Sequence, residues 1–250
     1  MKASELLLAL ALKHQGDWDK IYKDLQDKKT ENLEEYTKGF NTPYITILDE
    51  EYPDQLKSCW KPPFVLFYHG DIRLLKDVKN NIAFTGARKV SEEGENIAKY
   101  IGGHLDDKNI VCGLSQGSET IALKQAISNG NRPIIVLGSG INFCYPASNK
   151  ELYEKAKETG LVLSEYPNMV GPDATTMPLR KRIISALSNV VVCGEFQRHS
   201  GTNILISYAL SMGKNVYVAP MSMSSETANN EMINDGAFIV VKDNYLQKEE

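Results

Sequence analysis

The sequence lacks the patterns that mark metal-binding, disulfide-bonded and membrane proteins. It contains four widely separated cysteines, Cys59, Cys112, Cys144 and Cys193. They form no Cys-x-x-Cys pair, and the four histidines are equally scattered, so we expect neither a metal site nor a disulfide framework. No segment approaches the roughly 18 consecutive apolar residues that a membrane span requires. We therefore expect a cytoplasmic protein that does not associate with membranes.

A large excess of charge of one sign is also missing. The 28 lysines and arginines face 32 aspartates and glutamates, which gives a formal net charge of −4 at pH 7. A protein that coats polyanions with its whole surface carries a basic excess instead. Any contact with nucleic acid must therefore be made by a local basic site on an acidic protein.

The order of apolar runs predicts an α/β fold with two domains. Residues 1–42 carry short amphipathic helical patterns, which predict a small N-terminal helical domain. From about residue 80, short apolar runs alternate with helical stretches, as they do in a parallel sheet that helices cover on both faces. We predict an extended Rossmann-like, doubly wound and mostly parallel sheet in residues 43–250. Ligands are expected at the carboxyl ends of its strands.

The first of two strand-to-glycine turns is "TGARKVSEEG" at 85–94. Such turns present backbone N–H groups and a helix N-terminus to an anion. Arg88 stands where the dinucleotide fingerprint Gly-x-Gly-x-x-Gly has its second glycine, which disfavours NAD and predicts a guanidinium grip on phosphate. We therefore predict phosphate contacts from Gly86, Arg88 and Lys89, and we expect no cofactor. Ser91 is a candidate for phosphate binding or for capping the next helix.

The second turn, "CGLSQGSE", contains Gly113 and Gly117. Its amides either complete an anion-binding nest, or the glycines have a purely conformational role. The loop after the next strand, "VLGSGINFCYP", carries Tyr145, a candidate for stacking on a base.

Two later helix starts also carry residue types that bind anions. They contain Arg180, Lys181 and Arg182 in one case, and Ser200, Gly201 and Thr202 in the other. Three cations at a helix N-terminus oppose the helix dipole unless an anion compensates, which favours a functional role over a solvated charge run. At the second start, the hydroxyls and amides are suited either to holding a phosphate or to capping alone. No catalytic constellation assembles from these residues.

These motifs, in this order, resemble the DNA-processing protein A family, also called DprA or Smf. The resemblance extends from about residue 45 to about 239 and rests on "YPDQLK", "PPFVLFYHGD", "TGARKVSEEG", "CGLSQG", "VLGSGINFCYP", "LSEYP", "LRKRIISALS" and "NVYVAP". It implies a non-catalytic protein that binds single-stranded DNA, forms a homodimer and loads the RecA recombinase during natural transformation. The chain is expected to lack the winged-helix domain that some members append. The family's phosphate-contacting positions fall on the residues of the two glycine turns and the two helix starts described above.

The chain departs from the family pattern at three informative positions. Gln116 replaces an arginine of the second loop, Leu123 replaces a histidine on the following helix, and Met221 replaces a glycine. These departures leave DNA binding better supported than RecA loading. An alternative is a nucleotide-processing enzyme similar to phosphoribohydrolases, in which Glu165 or Glu195 would act beside the Ser200 loop. A nucleotide sensor is a further alternative.

Overall fold

The fold is built around one β-sheet. The computed structural model describes residues 2–168, 170–242 and 244–246, and within them the strands form a single nine-stranded sheet. The strands are β1 (Tyr44–Thr46), β2 (Val65–Gly70), β3 (Asn81–Thr85), β4 (Asn109–Cys112), β5 (Pro133–Val136), β6 (Leu161–Ser164), β7 (Val190–Cys193), β8 (Val216–Val218) and β9 (Phe238–Ile239).

Helices cover both faces of this sheet. They are α1 (Ala3–Lys13), α2 (Trp18–Gln26), α3 (Glu34–Thr37), α4 (Asp54–Lys57), α5 (Glu92–Gly103), α6 (Ser118–Ser128), α7 (Lys150–Thr159), α8 (Thr176–Leu179), α9 (Lys181–Ala186), α10 (Gly201–Ser211) and α11 (Asn229–Asn234). No helix among the described residues has the length and apolar character that crossing a membrane requires.

The strand order creates a switch point in the middle of the sheet. The order is β1-β2-β6-β5-β4-β3-β7-β8-β9, in which β2 pairs antiparallel with both β1 and β6 and the other neighbours pair parallel. The chain winds outward from β3 to β6 and then returns to place β7 on the other side of β3. In doubly wound sheets, ligands bind at the carboxyl ends of the strands beside such a reversal. The predicted α/β fold with a mostly parallel sheet is confirmed.

Burial explains why the strands read as continuous apolar runs. Every residue of β3 through β7 is buried, because helices pack on both faces. The core divides into two apolar clusters, with Ile82 and Phe84 of β3 in one and Ala83 in the other. Leu7 and Leu10 of α1 belong to the first cluster, so the N-terminal helices share their core with the sheet. The domain boundary between residues 42 and 43 stays a prediction.

Candidate functional site

A cleft of about 500 Å³ lies at the switch point, over the carboxyl ends of β3, β4 and β7. The predicted phosphate-binding residues that line it are Gly86, Arg88, Lys89, Arg180, Lys181, Ser200, Gly201 and Thr202. The sequence analysis did not single out the cleft residues Ser115, Glu119, Met177, Gln197 and Ile204. Residues from four separate loops and helix starts therefore meet at one place, which is the place where this kind of sheet binds ligands.

The first glycine turn presents its cations to solvent on a fixed backbone. The N–H of Ala87 donates to the carbonyl of Glu195 at 2.6 Å, and the carbonyl of Ala87 accepts from the N–H of Ser118 at 3.0 Å. These bonds tie the loop after β3 to the loops after β7 and β4. Arg88 and Lys89 are exposed, and neither side chain has a hydrogen-bond or ion-pair partner within the described residues. Both cations are thus available to an anion in the cleft.

The second glycine turn already contains an anion of its own. Glu119 is buried, and its Oε2 accepts from the N–H of Gly113 at 3.1 Å and from the N–H of Ser115 at 2.8 Å. Burial alone would raise the pKa of Glu119, but the charges of Lys181 and Arg180 and the bonds from Ser115 hold it below the ordinary value. Because this carboxylate occupies the loop amides, the structure favours the conformational role for this turn over an open phosphate nest.

Gly117 of this second turn joins it to the first. Its φ is +76°, and a Cβ at this position would collide with the carbonyl oxygens of Ala87 and Arg88. Only glycine combines a left-handed backbone with such a close approach. Gly117 therefore sets the position of the Arg88 loop, although it does not line the cleft itself.

Two further cations line the inner part of the cleft. Arg180 is buried, and its Nη1 donates to the carbonyl of Gly113, whereas its Nε has no hydrogen-bond partner among the described residues. A side chain at position 113 would collide with the Arg180 guanidinium. The central carbon of that guanidinium lies 2.7 Å from the position that a Cβ of residue 113 would occupy. Burial lowers the pKa of Lys181, an effect that Arg180 and Arg88 increase and Glu119 opposes. Among the described residues, the lining of the cleft thus holds four cationic side chains against the carboxylate of Glu119.

Arg182 points away from the cleft, so the expectation that it contacts phosphate is corrected. Its side chain is fully buried, and its two terminal nitrogens bond both carboxylate oxygens of Glu165, at 2.8 Å and 2.6 Å. Its Nε donates to the carbonyls of Trp60 and Lys61. Successive residues of a helix point about 100° apart, so three consecutive cations cannot share one face. Arg182 instead joins α9 to β6 and to the loop before β2.

The predicted hydroxyl ligands act mainly as caps. Ser91 accepts from the N–H of Gly94 at 3.1 Å and donates to Glu195 Oε2 at 2.8 Å, so it caps α5 and lies outside the cleft lining. Ser200 forms a capping box with Asn203 at the start of α10. Thr202 is buried, with its hydroxyl 3.3 Å from that of Thr85. At this helix start, the groups suited to an anion are the backbone N–H groups of Gly201 and Thr202, because the N–H of Asn203 donates to the carbonyl of Ser200.

The remaining sequence candidates lie outside the cleft lining. Tyr145 is exposed in the loop after β5. Gln116, which stands where the family has arginine, donates from Nε2 to Ser148 Oγ at 3.3 Å. Leu123 and Met221 are buried in the core and in the loop after β8, respectively. The sequence analysis did not predict Glu119 as a residue of the cleft. The feature that could have indicated it is an acidic residue in the first turn of a helix that follows a glycine loop.

The two carboxylates that the enzymatic alternative requires are engaged elsewhere. Glu165 is ion-paired with Arg182 in the interior, and Glu195 accepts from both the N–H and the hydroxyl of Ser91. Fold and site together define a Rossmann-like α/β protein with a basic cleft at the switch point of its sheet.

Comparison with known proteins identifies the family. The model of the DNA recombination-mediator protein A family matches residues 43–249, and the chain belongs to this family. It is 35% identical over 201 residues to the DNA processing protein DprA of Streptococcus pneumoniae, which covers 79% of this chain and 71% of that protein. The chain spans 55% of the length of several other relatives. None of these names specifies an enzymatic reaction.

Two solved structures have the same fold. The X-ray structure of DprA from Streptococcus pneumoniae superimposes with a TM-score of 0.79 at 27% identity and covers 96% of this chain and 95% of its own. The DNA processing protein A of Helicobacter pylori gives a TM-score of 0.72 at 25% identity, covering 83% and 95% of the two chains. The study of the Helicobacter protein describes its single-stranded DNA binding mode.

Proposed function

We propose that this protein binds single-stranded DNA through phosphate contacts in the switch-point cleft, independently of sequence. The observation that carries the proposal is the convergence of Arg88, Lys89, Arg180 and Lys181 at the N-terminus of α10. Contacts to phosphates fix a strand in place but carry no sequence information. The single-stranded DNA binding described for the Helicobacter relative supports the same ligand.

We further propose that the DNA-bound protein is a cytoplasmic homodimer that supports RecA loading in natural transformation or recombination. The support is the family resemblance, together with an apolar surface at the β9 edge of the sheet. There, Phe238 and Val241 are 52% and 54% exposed. A second copy of the chain would cover these side chains.

Salt dependence tests the phosphate contacts. For single strands, the logarithm of the binding constant falls with the logarithm of salt concentration by about 0.7 per phosphate neutralised. We expect the double variant Arg88→Ala with Lys181→Ala to bind an oligo-dT strand at least roughly tenfold more weakly, because two charge-assisted bonds are lost. We also expect the salt slope to decrease by about 1.4. Fluorescence anisotropy of a labelled oligonucleotide at several salt concentrations measures both quantities.

A matched control removes two cations from the opposite edge of the sheet. Arg73 follows β2 and Arg132 precedes β5, and both guanidinium groups lie near the Asp71 carboxylate. The double variant Arg73→Ala with Arg132→Ala should keep the wild-type slope and affinity. Equal losses in the two double variants would show that binding follows net charge and would refute the cleft as the site.

The lowered pKa of Lys181 makes DNA binding pH-dependent on the alkaline side. A bound phosphate favours the charged ammonium, so binding takes up a proton wherever Lys181 is partly neutral in the free protein. Affinity is therefore expected to be flat below the lowered pKa and to fall as the pH rises through it, at a pH below 10.5. Anisotropy titrations at constant ionic strength, from about pH 7 upward, measure this dependence.

The conservative variant Lys181→Arg provides the control for this experiment. An arginine stays charged throughout the range, so this part of the pH dependence should disappear while binding at neutral pH is kept. The same alkaline loss in Lys181→Arg would assign the titration to another group.

A further inference from the structure

An exposed tryptophan packs against α10, the helix whose first residues line the cleft. Trp60, in the loop between α4 and β2, is 55% exposed, which is unusual for the largest apolar side chain. Its ring stacks with Tyr208 of α10 at a centroid distance of 6.4 Å and an interplanar angle of 23°. Beside Tyr208 and the Lys61 ammonium, which lies over the ring, just over half of the Trp60 surface stays open to solvent.

Helix α10 connects this aromatic pair to the phosphate cleft. Ile204 lines the cleft, and Tyr208 follows it by four residues, so the two side chains are neighbours on one helix face. Helical side chains lean toward the helix N-terminus, which directs the Tyr208 ring toward Ile204 and the cleft. A strand whose phosphates lie at Gly201, at the start of α10, therefore has the Trp60–Tyr208 pair within reach along the same helix.

The Trp60 loop is held rigidly. Arg182 donates to the carbonyls of Trp60 and Lys61 at 3.1 Å and 2.9 Å, and Glu165 fixes the guanidinium from the other side. Lys61 has a φ of +49°, which is costly for a residue with a side chain and persists only where the surroundings enforce it. Its ammonium is 4.9 Å from the Trp60 ring centroid and pairs with Asp19. The loop therefore presents a preorganised aromatic surface with an adjacent cation.

We propose that Trp60, supported by Tyr208, is a platform on which one base of the bound single strand stacks. The proposal rests on the proposed DNA binding and adds a base contact that the phosphate cleft does not supply. Stacking on an aromatic face is tolerant of sequence because every base has a π-face. The basic groove and the aromatic platform together are the combination that single-strand binders use.

Tryptophan fluorescence tests the platform directly. The chain has two tryptophans, and Trp18 lies between Tyr22 and Phe64, so Trp18→Phe leaves Trp60 as the only tryptophan reporter. Titration of this variant with oligo-dT should quench Trp60 emission with the same midpoint as the anisotropy of a labelled strand. An oligonucleotide of equal length with abasic sites should bind more weakly and cause no quenching. Binding of oligo-dT without quenching would overturn the proposal.

Substitution of Trp60 separates stacking from phosphate binding. Trp60→Ala should weaken oligo-dT binding by roughly 5- to 140-fold, the range for one base on an aromatic ring, and leave the salt slope unchanged. Trp60→Phe should recover part of the affinity, and thermal unfolding checks that both variants are folded. Wild-type affinity in a folded Trp60→Ala variant overturns the platform but leaves the proposed function intact. A wild-type protein that binds no oligonucleotide refutes both.

Discussion

Arg182→Ala is expected to lower the free energy of unfolding by roughly 3–5 kcal/mol, the usual cost of removing one partner from a buried ion pair. Without the guanidinium, the buried carboxylate of Glu165 loses both of its close donors. The carbonyls of Trp60 and Lys61 lose their hydrogen bonds in the same substitution. Urea denaturation of the wild type and the variant, followed by circular dichroism, measures the difference.

A double substitution that removes both charges of the Arg182–Glu165 pair is the control. Arg182→Met combined with Glu165→Leu replaces both charges by apolar side chains of similar size, which is often neutral for buried pairs. The combined variant should therefore be more stable than Arg182→Ala. If Arg182→Ala unfolds like the wild type and loses DNA affinity with a smaller salt slope, Arg182 belongs to the phosphate contacts after all.

The fold was predictable because its signals are local and repeated. Each central strand is a short apolar run, since both of its faces are buried, and each is followed by a helical stretch. Such alternation is typical of a doubly wound sheet and leaves few topologies to choose from. The sharing of one core between α1 and the sheet was not visible, because an apolar helix face does not specify what it packs against.

The phosphate-binding turn was predictable for a similar reason, whereas side-chain direction was not. Gly86, Arg88 and Lys89 follow a strand directly, and the carboxyl ends of neighbouring parallel strands meet at one edge of the sheet. The sequence could not tell which of the three adjacent cations at the start of α9 face the cleft. That depends on helix phase and on Glu165, which is 17 residues away from Arg182 in the chain. The hydrogen bonds by which Glu119 occupies the amides of the second loop likewise depend on tertiary geometry.

Gly117→Ala is expected to cost roughly 2–6 kcal/mol of stability and to weaken DNA binding strongly. Gly117 has a φ of +76° and a ψ of −128°, and holding a non-glycine residue in such a sparsely populated backbone conformation costs about 1–3 kcal/mol. The added Cβ would also collide with the backbone carbonyls of Ala87 and Arg88, and overpacking of this kind costs about 1–3 kcal/mol more. Relief of the collision requires the Arg88 loop to move away from Lys181 and α10. Urea denaturation and anisotropy titration measure the two effects.

Gly130→Ala separates the two causes, because Gly130 has a φ of +85° and nothing within 4 Å of the position of its Cβ. This variant should lose only the backbone contribution of about 1–2 kcal/mol and should bind oligo-dT like the wild type. The difference between the two alanine variants then isolates the contact between the two glycine turns. If Gly117→Ala matches Gly130→Ala in both stability and affinity, the second turn does not position Arg88. Glu119, which occupies the amides of that turn, would then have a role in the second loop alone.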